Sequence, residues 1–169
     1  MDRQRSQPRA IVRAALLVLW LWPLLCGSGA EPCWADGTPT VASLSPEETV
    51  THYLAALKAG DFPAAYDCLT KGMVQNKDRA AWSKEQQWTM QMSEAKIFDY
   101  HVYPGKLAGD KAFVPNLLDS QDKFLNQLGV PEHELYTLIR EDGRWKIDQQ
   151  QLVDPDEQKK WFPASAAGK

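Results

Sequence analysis

The chain has 169 residues, 44% of them hydrophobic and 24% charged, with a formal net charge of −3. That length accommodates one domain plus a targeting segment. A mildly acidic chain lacks the basic footprint that binding to nucleic acid or docking on an anionic membrane surface requires.

Arg3, Arg5, Arg9 and Arg13 form a basic start. Ala14 to Cys26 (AALLVLWLWPLLC) follows as an apolar run of 13 residues. That is short of the roughly 20 residues a membrane-spanning helix needs. Ser28-Gly29-Ala30 then supplies the small residues of a signal-peptidase site. Residues 1–30 therefore read as a signal peptide, with cleavage after Ala30 and an alternative after Ala35. The residues before Cys26 and Cys33 fit a lipid-anchor acceptor site poorly, and no second apolar segment follows. The expected product is exported, without a stable membrane span, to the periplasm or the extracellular space. Losing four Arg and one Asp moves its formal charge from −3 to −6. Cleavage after Ala30 leaves Cys33 and Cys68, which could pair in an oxidising compartment; a buried free thiol at Cys68 is the equal alternative.

Residues 31–44 are rich in Pro, Gly, Thr and Ser and read as a flexible spacer. Ser45 then caps a helix, with Pro46 at its first position and Glu48 completing a capping box. Val50, Tyr53, Leu54 and Leu57 follow at helical spacing, and Gly60 ends the run. Asp61 caps a second, short helix with Ala64, Ala65, Cys68 and Leu69 on its apolar side. Lys71 to Lys77 reads as a loop. Asp78 to Trp82 reads as a short helical turn, after which Ser83 caps a further turn or two carrying Trp88 and Met92.

From Glu94 the period becomes two. Lys96 to Tyr103 is a strand with Phe98, Tyr100 and Val102 on the inward face. Pro104-Gly105 and Gly109-Asp110 bracket a turn. Lys111 to Leu118 is a second strand, where Pro115 argues for an edge position or a bulge. Within residues 119–131, Phe124, Leu125 and Leu128 suggest a helical turn folded over one end of the sheet. Glu134 to Glu141 and Arg144 to Gln151 make a hairpin through Asp142-Gly143, with Trp145 and Ile147 inward. A last helical turn carries Trp161 and Phe162. The domain is expected over residues 45–163, followed by a tail at 164–169. Helices first and antiparallel strands afterwards define an α+β fold with a sheet of about four strands.

Pro46-Glu47-Glu48, Val50, Tyr53, Ala56-Leu57, Gly60-Asp61-Phe62 and Ala65-Tyr66 resemble the opening helices of nuclear transport factor 2-like domains. Asp142-Gly143, Trp145, Lys146 and Ile147 resemble that superfamily's closing hairpin. The likeness spans about Ser45 to Asp148 and is greatest to small exported bacterial members of unknown function. It implies a cone-like α+β barrel with a pocket in the cone. The middle departs from the pattern through Pro115 and the long connection after it. No segment matches the catalytic motifs of the superfamily's enzymes, so no catalytic residue is carried over.

Among the residues themselves, Tyr53, Tyr66, Trp88, Tyr100 and Tyr136 have apolar bodies and polar tips that could line a pocket for a small apolar ligand; the alternative is plain core. Asp99 and His101, two apart on a strand, share a face and could form an acid–base pair. The apolar opposite face favours placing them in solvent. His52 and His133 read as surface. Three histidines without close spacing give no zinc pattern. There is no Gly-x-Ser-x-Gly elbow, no phosphate-cradling Gly-rich loop and no Cys-x-x-Cys. Neither a metal nor a cofactor is expected. The expected role is non-catalytic binding of a small molecule or a partner protein. The rivals are an isomerase- or dehydratase-type enzyme using a polar residue in the cone, and a homodimer assembled through the sheet.

Overall fold

The structure, a computed structural model, describes residues 44–164 and 166. The expected signal peptide, nearly all of the spacer and Cys33 lie outside the described residues. Helix α1 (Pro46–Ala59) starts where the capping box places it: Glu48 N–H donates to Ser45 Oγ (3.1 Å) and Ser45 N–H donates to Glu48 Oε2 (2.7 Å). It stops at Gly60, whose φ of 73° only glycine adopts without strain. Val50, Tyr53, Leu54 and Ala56 are buried, while Leu57 is half-buried at the edge of the stripe. Helix α2 (Phe62–Tyr66) is capped by Asp61, whose Oδ1 accepts from Ala64 N–H.

Helix α3 (Arg79–Ser93) is continuous where the sequence suggests two pieces. Asp78 is its cap, accepting from Ala81 N–H at 2.9 Å. Ser83 does not cap a new helix. Its hydroxyl donates to the carbonyl one turn back, Arg79 O, at 2.6 Å, so the serine is absorbed within the helix.

The strands are β1 (Lys96–Val102), β2 (Lys106–Ala108), β3 (Lys111–Gln121), β4 (Glu132–Glu141) and β5 (Arg144–Leu152). The sheet is antiparallel in the order β1-β3-β4-β5, with β2 also paired to β3. Strand β2 lies where the sequence suggests only a turn, and it makes five strands of the expected four or so. Asp142 and Gly143, both at positive φ (53° and 76°), close the β4–β5 hairpin as expected. On the outer edge of β5, Leu69 forms a parallel bridge to Ile147, tying the end of the helical layer to the sheet. Helix α4 (Gln158–Trp161) follows β5.

Three details of the sheet differ from the sequence reading. First, the β1–β3 register shifts between Ile97 and Asp99, so Phe98 is a bulge residue and is 49% exposed. Ile97 takes its inward place beside Tyr100 and Val102. Second, Pro115 sits in the central strand β3. Its carbonyl accepts from Tyr103 N–H at 2.9 Å, so its nitrogen faces the same side. That side is the interval between β1, which ends opposite Asn116, and β2, which begins opposite Phe113. The missing N–H therefore falls where the neighbouring strand is interrupted. Third, the connection from Asp122 to Pro131 does not fold over the sheet. Leu125 and Leu128 are 93% and 89% exposed.

The core lies between α1–α3 and one sheet face, where Val114, Leu118, Tyr136, Leu138 and Ile147 are buried. A second cluster covers part of the opposite face: Leu135, Val153, Phe162 and Ala166, with Tyr103, Phe113 and Trp161 against it. His133, expected at the surface, is buried in that cluster. One ring nitrogen, Nε2, lies 2.8 Å from Ala166 O, and Phe162 packs edge-on at 4.7 Å. The chain beyond β5 returns over this face and covers the histidine. Among the described residues no helix is long and apolar enough to cross a membrane.

Candidate polar-floored cavity

Period-two alternation sends Glu134, Tyr136 and Leu138 of β4 to the helix-covered face, alongside Ala112, Val114 and Asn116 of β3. A carboxylate and an amide are thereby carried into an otherwise apolar layer. Glu134 and Asn116 are register partners, 3% and 0% exposed. Asn116 Nδ2 donates to Glu134 Oε2 at 2.9 Å, and the Tyr136 hydroxyl donates to the same oxygen at 2.9 Å. Gln150, exposed on β5 opposite Tyr136, donates from Nε2 to Oε1 at 2.8 Å. Both carboxylate oxygens are thus engaged, by three donors in all. Asn116 Oδ1 has no hydrogen-bond partner among the described residues.

Burial pushes the Glu134 carboxyl above its ordinary value, against the three donors that favour the charged form. Burial also raises the Tyr136 phenol, and the neighbouring Glu134 charge adds to it. Tyr53 is raised for the same two reasons in the same order. Its ring meets that of Tyr136 edge-on at 6.2 Å between centroids.

Above this network lies a cavity of about 320 Å³ between α1, α3, the loop after α2, and β5. Tyr53 and Gln150 line it, with Leu69, Met73, Val74 and Trp82 as apolar wall and Gln86 and Thr89 from α3. Gln75, and Lys77 with Glu85, ion-paired to each other, complete the lining. Tyr66 stands behind the wall: its ring packs on Trp82 at 5.9 Å and its hydroxyl donates to Lys77 O at 2.9 Å. Chemically, the cavity offers an apolar wall, neutral amide and hydroxyl groups, the paired charges of Lys77 and Glu85, and the Glu134 carboxylate reached only through Gln150.

Of the five aromatic residues singled out from sequence, Tyr53 and Tyr136 meet at this floor and Tyr66 braces the wall. Trp88 and Tyr100 are elsewhere. Trp88 is 61% exposed in a separate groove with Met92, Phe124 and Leu125. Tyr100 is half-buried near Lys58, whose Nζ is 5.9 Å from the ring centre. Asp99 and His101 are both exposed on β1, and His101 packs edge-on against Tyr103 at 4.5 Å. Cys68 is fully buried and pairs with no cysteine among the described residues, and burial pushes its thiol up to about 12. Asn116, Glu134 and Gln150 escape the sequence reading. The available signal was the strand period: a glutamate two residues before Tyr136 must share its face. Among the described residues no cluster of three metal-ligating side chains occurs.

Fold and floor together define an α+β domain with helices on one face of an antiparallel sheet and a cavity whose base is a buried carboxylate network. No family model matches the chain, and no curated protein matches it. Among solved structures, it is similar to a SEC-C motif containing protein from Rhodopseudomonas palustris, with a TM-score of 0.52 and 17% identity over 69% of this chain and 84% of that one. A domain of unknown function with a cystatin-like fold from Nostoc punctiforme aligns with a TM-score of 0.48 and 10% identity, covering 71% of this chain and 86% of that one. An NTF2-like protein of unknown function from Cytophaga hutchinsonii aligns at 0.41 and 16% identity, covering 69% and 96%. These likenesses concern the fold.

Proposed function

We propose that this is an exported, non-catalytic domain that binds a small molecule in the cavity between α1, α3 and β5. The observation that carries the reading is the state of Glu134. An enzyme of this architecture would need a carboxylate with a free oxygen facing its substrate. Here both oxygens accept hydrogen bonds from protein donors, and Gln150 stands between the carboxylate and the cavity. Such a network holds the floor rigid and leaves Tyr53 and Gln150, with the paired Lys77 and Glu85, to meet a ligand. The ligand that fits has a flat apolar part for Trp82 and Val74 and one hydrogen-bonding group for Gln150. Export is supported by the basic start, the short apolar run and the small residues ending at Ala30.

Native mass spectrometry of the protein recovered from an exporting host tests both parts. The expected result is a polypeptide mass beginning at Glu31 or Asp36, with a bound small mass that Gln150→Ala loses. An uncleaved chain overturns export. A wild-type protein without a bound mass, or a variant that retains it, counts against the cavity.

A further inference from the structure

We propose that the cavity selects a cis-amide, a lactam or primary carboxamide on an apolar ring, whose carbonyl accepts from the Tyr53 hydroxyl and whose N–H donates to Gln150 Oε1. The inference rests on the reading of this cavity as a ligand site. Two polar groups of the lining carry it, because the chain leaves both unsatisfied.

The first is the Tyr53 hydroxyl. Tyr53 is only 5% exposed and lines the cavity. Tyr66 and Tyr136 each place their hydroxyl on a protein acceptor. The Tyr53 hydroxyl has no such partner among the described residues, and unlike Asn116 Oδ1 it is not sealed off but borders the cavity. Glu134 is near enough for its charge to raise the Tyr53 phenol, yet its oxygens are already taken by Asn116, Tyr136 and Gln150. A buried O–H without an acceptor is costly, so an entering carbonyl supplies what no protein group does.

The second is the Gln150 amide, whose donor and acceptor ends exchange places by a half-turn. Glu134 decides between them. Every side-chain bond to Glu134 comes from a donor, and Gln150 Nε2 serves Oε1. With Nε2 held there, Oε1 is the end of the amide left to meet a ligand. The buried carboxylate thus acts on the ligand without touching it, by fixing the polarity of the amide in front of it. Lys77 and Glu85 answer each other's charge and ask for no ionic ligand. An ester answers Tyr53 alone and an aryl amine answers Gln150 alone. A cis-amide carries C=O and N–H on one edge and answers both, while its ring lies against Val74 and Trp82.

Three two-ring probes of similar size separate the two bonds: carbostyril, a lactam; coumarin, which replaces its N–H by oxygen; and tetrahydroquinoline, which has N–H but no carbonyl. Titrations of the purified protein, followed by two-dimensional NMR at the Trp82 indole and Val74 methyl signals, read both location and affinity. The expected result is that carbostyril binds about fivefold or more tightly than either of the others. Tyr53→Phe keeps the ring and should erase the advantage over tetrahydroquinoline. Gln150→Lys keeps a donor for Glu134 but offers the ligand no acceptor, and should erase the advantage over coumarin. Equal binding of all three probes at these signals overturns the amide selection while the cavity remains a ligand site. A preference that survives in both variants, with wild-type circular dichroism, overturns it too. No shift with any probe overturns the cavity reading and the selection together.

Discussion

At the scale of single residues, Glu134 sets the character of the molecule. A carboxylate buried among Val114, Tyr136 and Leu138 costs folding energy unless it is hydrogen-bonded, and three donors meet that requirement. Its folded pKa still lies above the ordinary 4.5, because burial outweighs the donors. The sign follows from linkage. Between the unfolded and the raised folded value the native state binds more protons than the unfolded state, so stability falls as pH rises through that window. Denaturation curves of wild type and Glu134→Gln, taken between pH 4 and 8, should show this share of the pH dependence disappearing in the variant. Parallel profiles for the two proteins would mean that Glu134 titrates as it does in water. Cys68 makes a simpler case. A fully buried thiol raised to about 12 should resist alkylation in the native state and react on unfolding. Resistance that persists in denaturant until a reductant is added would instead reveal a disulfide.

At the scale of elements, the chain is most legible where local chemistry decides. Ser45, Pro46 and Glu48 announce α1, Gly60 ends it, and Asp142-Gly143 closes the last hairpin; the structure has each of them in that role. It is least legible where two distant segments decide together. Phe98 looks inward by alternation, but one bulge in the pairing with β3 turns it out. Pro115 looks like an edge residue, and its edge turns out to be a local interruption between β1 and β2. Periodicity within one strand contains neither fact. Glu134 is a different case, since the alternation of β4 places it inside and only the expectation that glutamates face water hides it.

The interruption between β1 and β2 is itself packed against α1. Gly105 N–H donates to Glu47 Oε1 at 2.8 Å. A Cβ at Gly105 would meet Glu47 Oε1 and a Val114 methyl at 3.0 Å each and Phe113 O at 3.1 Å. Gly105→Ala should therefore destabilise by about 1–3 kcal/mol through overpacking. A urea midpoint unchanged by this substitution would show that α1 and the strand gap are free to separate. Within α1, the buried stripe centres on Val50 and Leu54 rather than Leu57. Leu54→Ala should cost about 2–5 kcal/mol. Leu57→Ala, at the half-buried edge, should cost less than half as much, and equal losses in paired denaturation curves would contradict this placement of the stripe.

At the scale of the whole molecule, the two sheet faces are divided between two tasks. One face and the helices enclose the core and the cavity. The other is covered in part by Val153, Phe162 and Ala166, which settle on Leu135 and His133. That cover disfavours assembly through the middle of the sheet. A fragment-soaked crystal structure tests the cavity reading most directly. A set of small aromatic amides and alcohols should yield ligands lying between Trp82 and Val74, hydrogen-bonded to Gln150, with all three donors still on Glu134. Fragments that never enter this cavity while binding elsewhere, or a ligand that displaces Gln150 and takes a Glu134 oxygen, would contradict a non-catalytic binding site there.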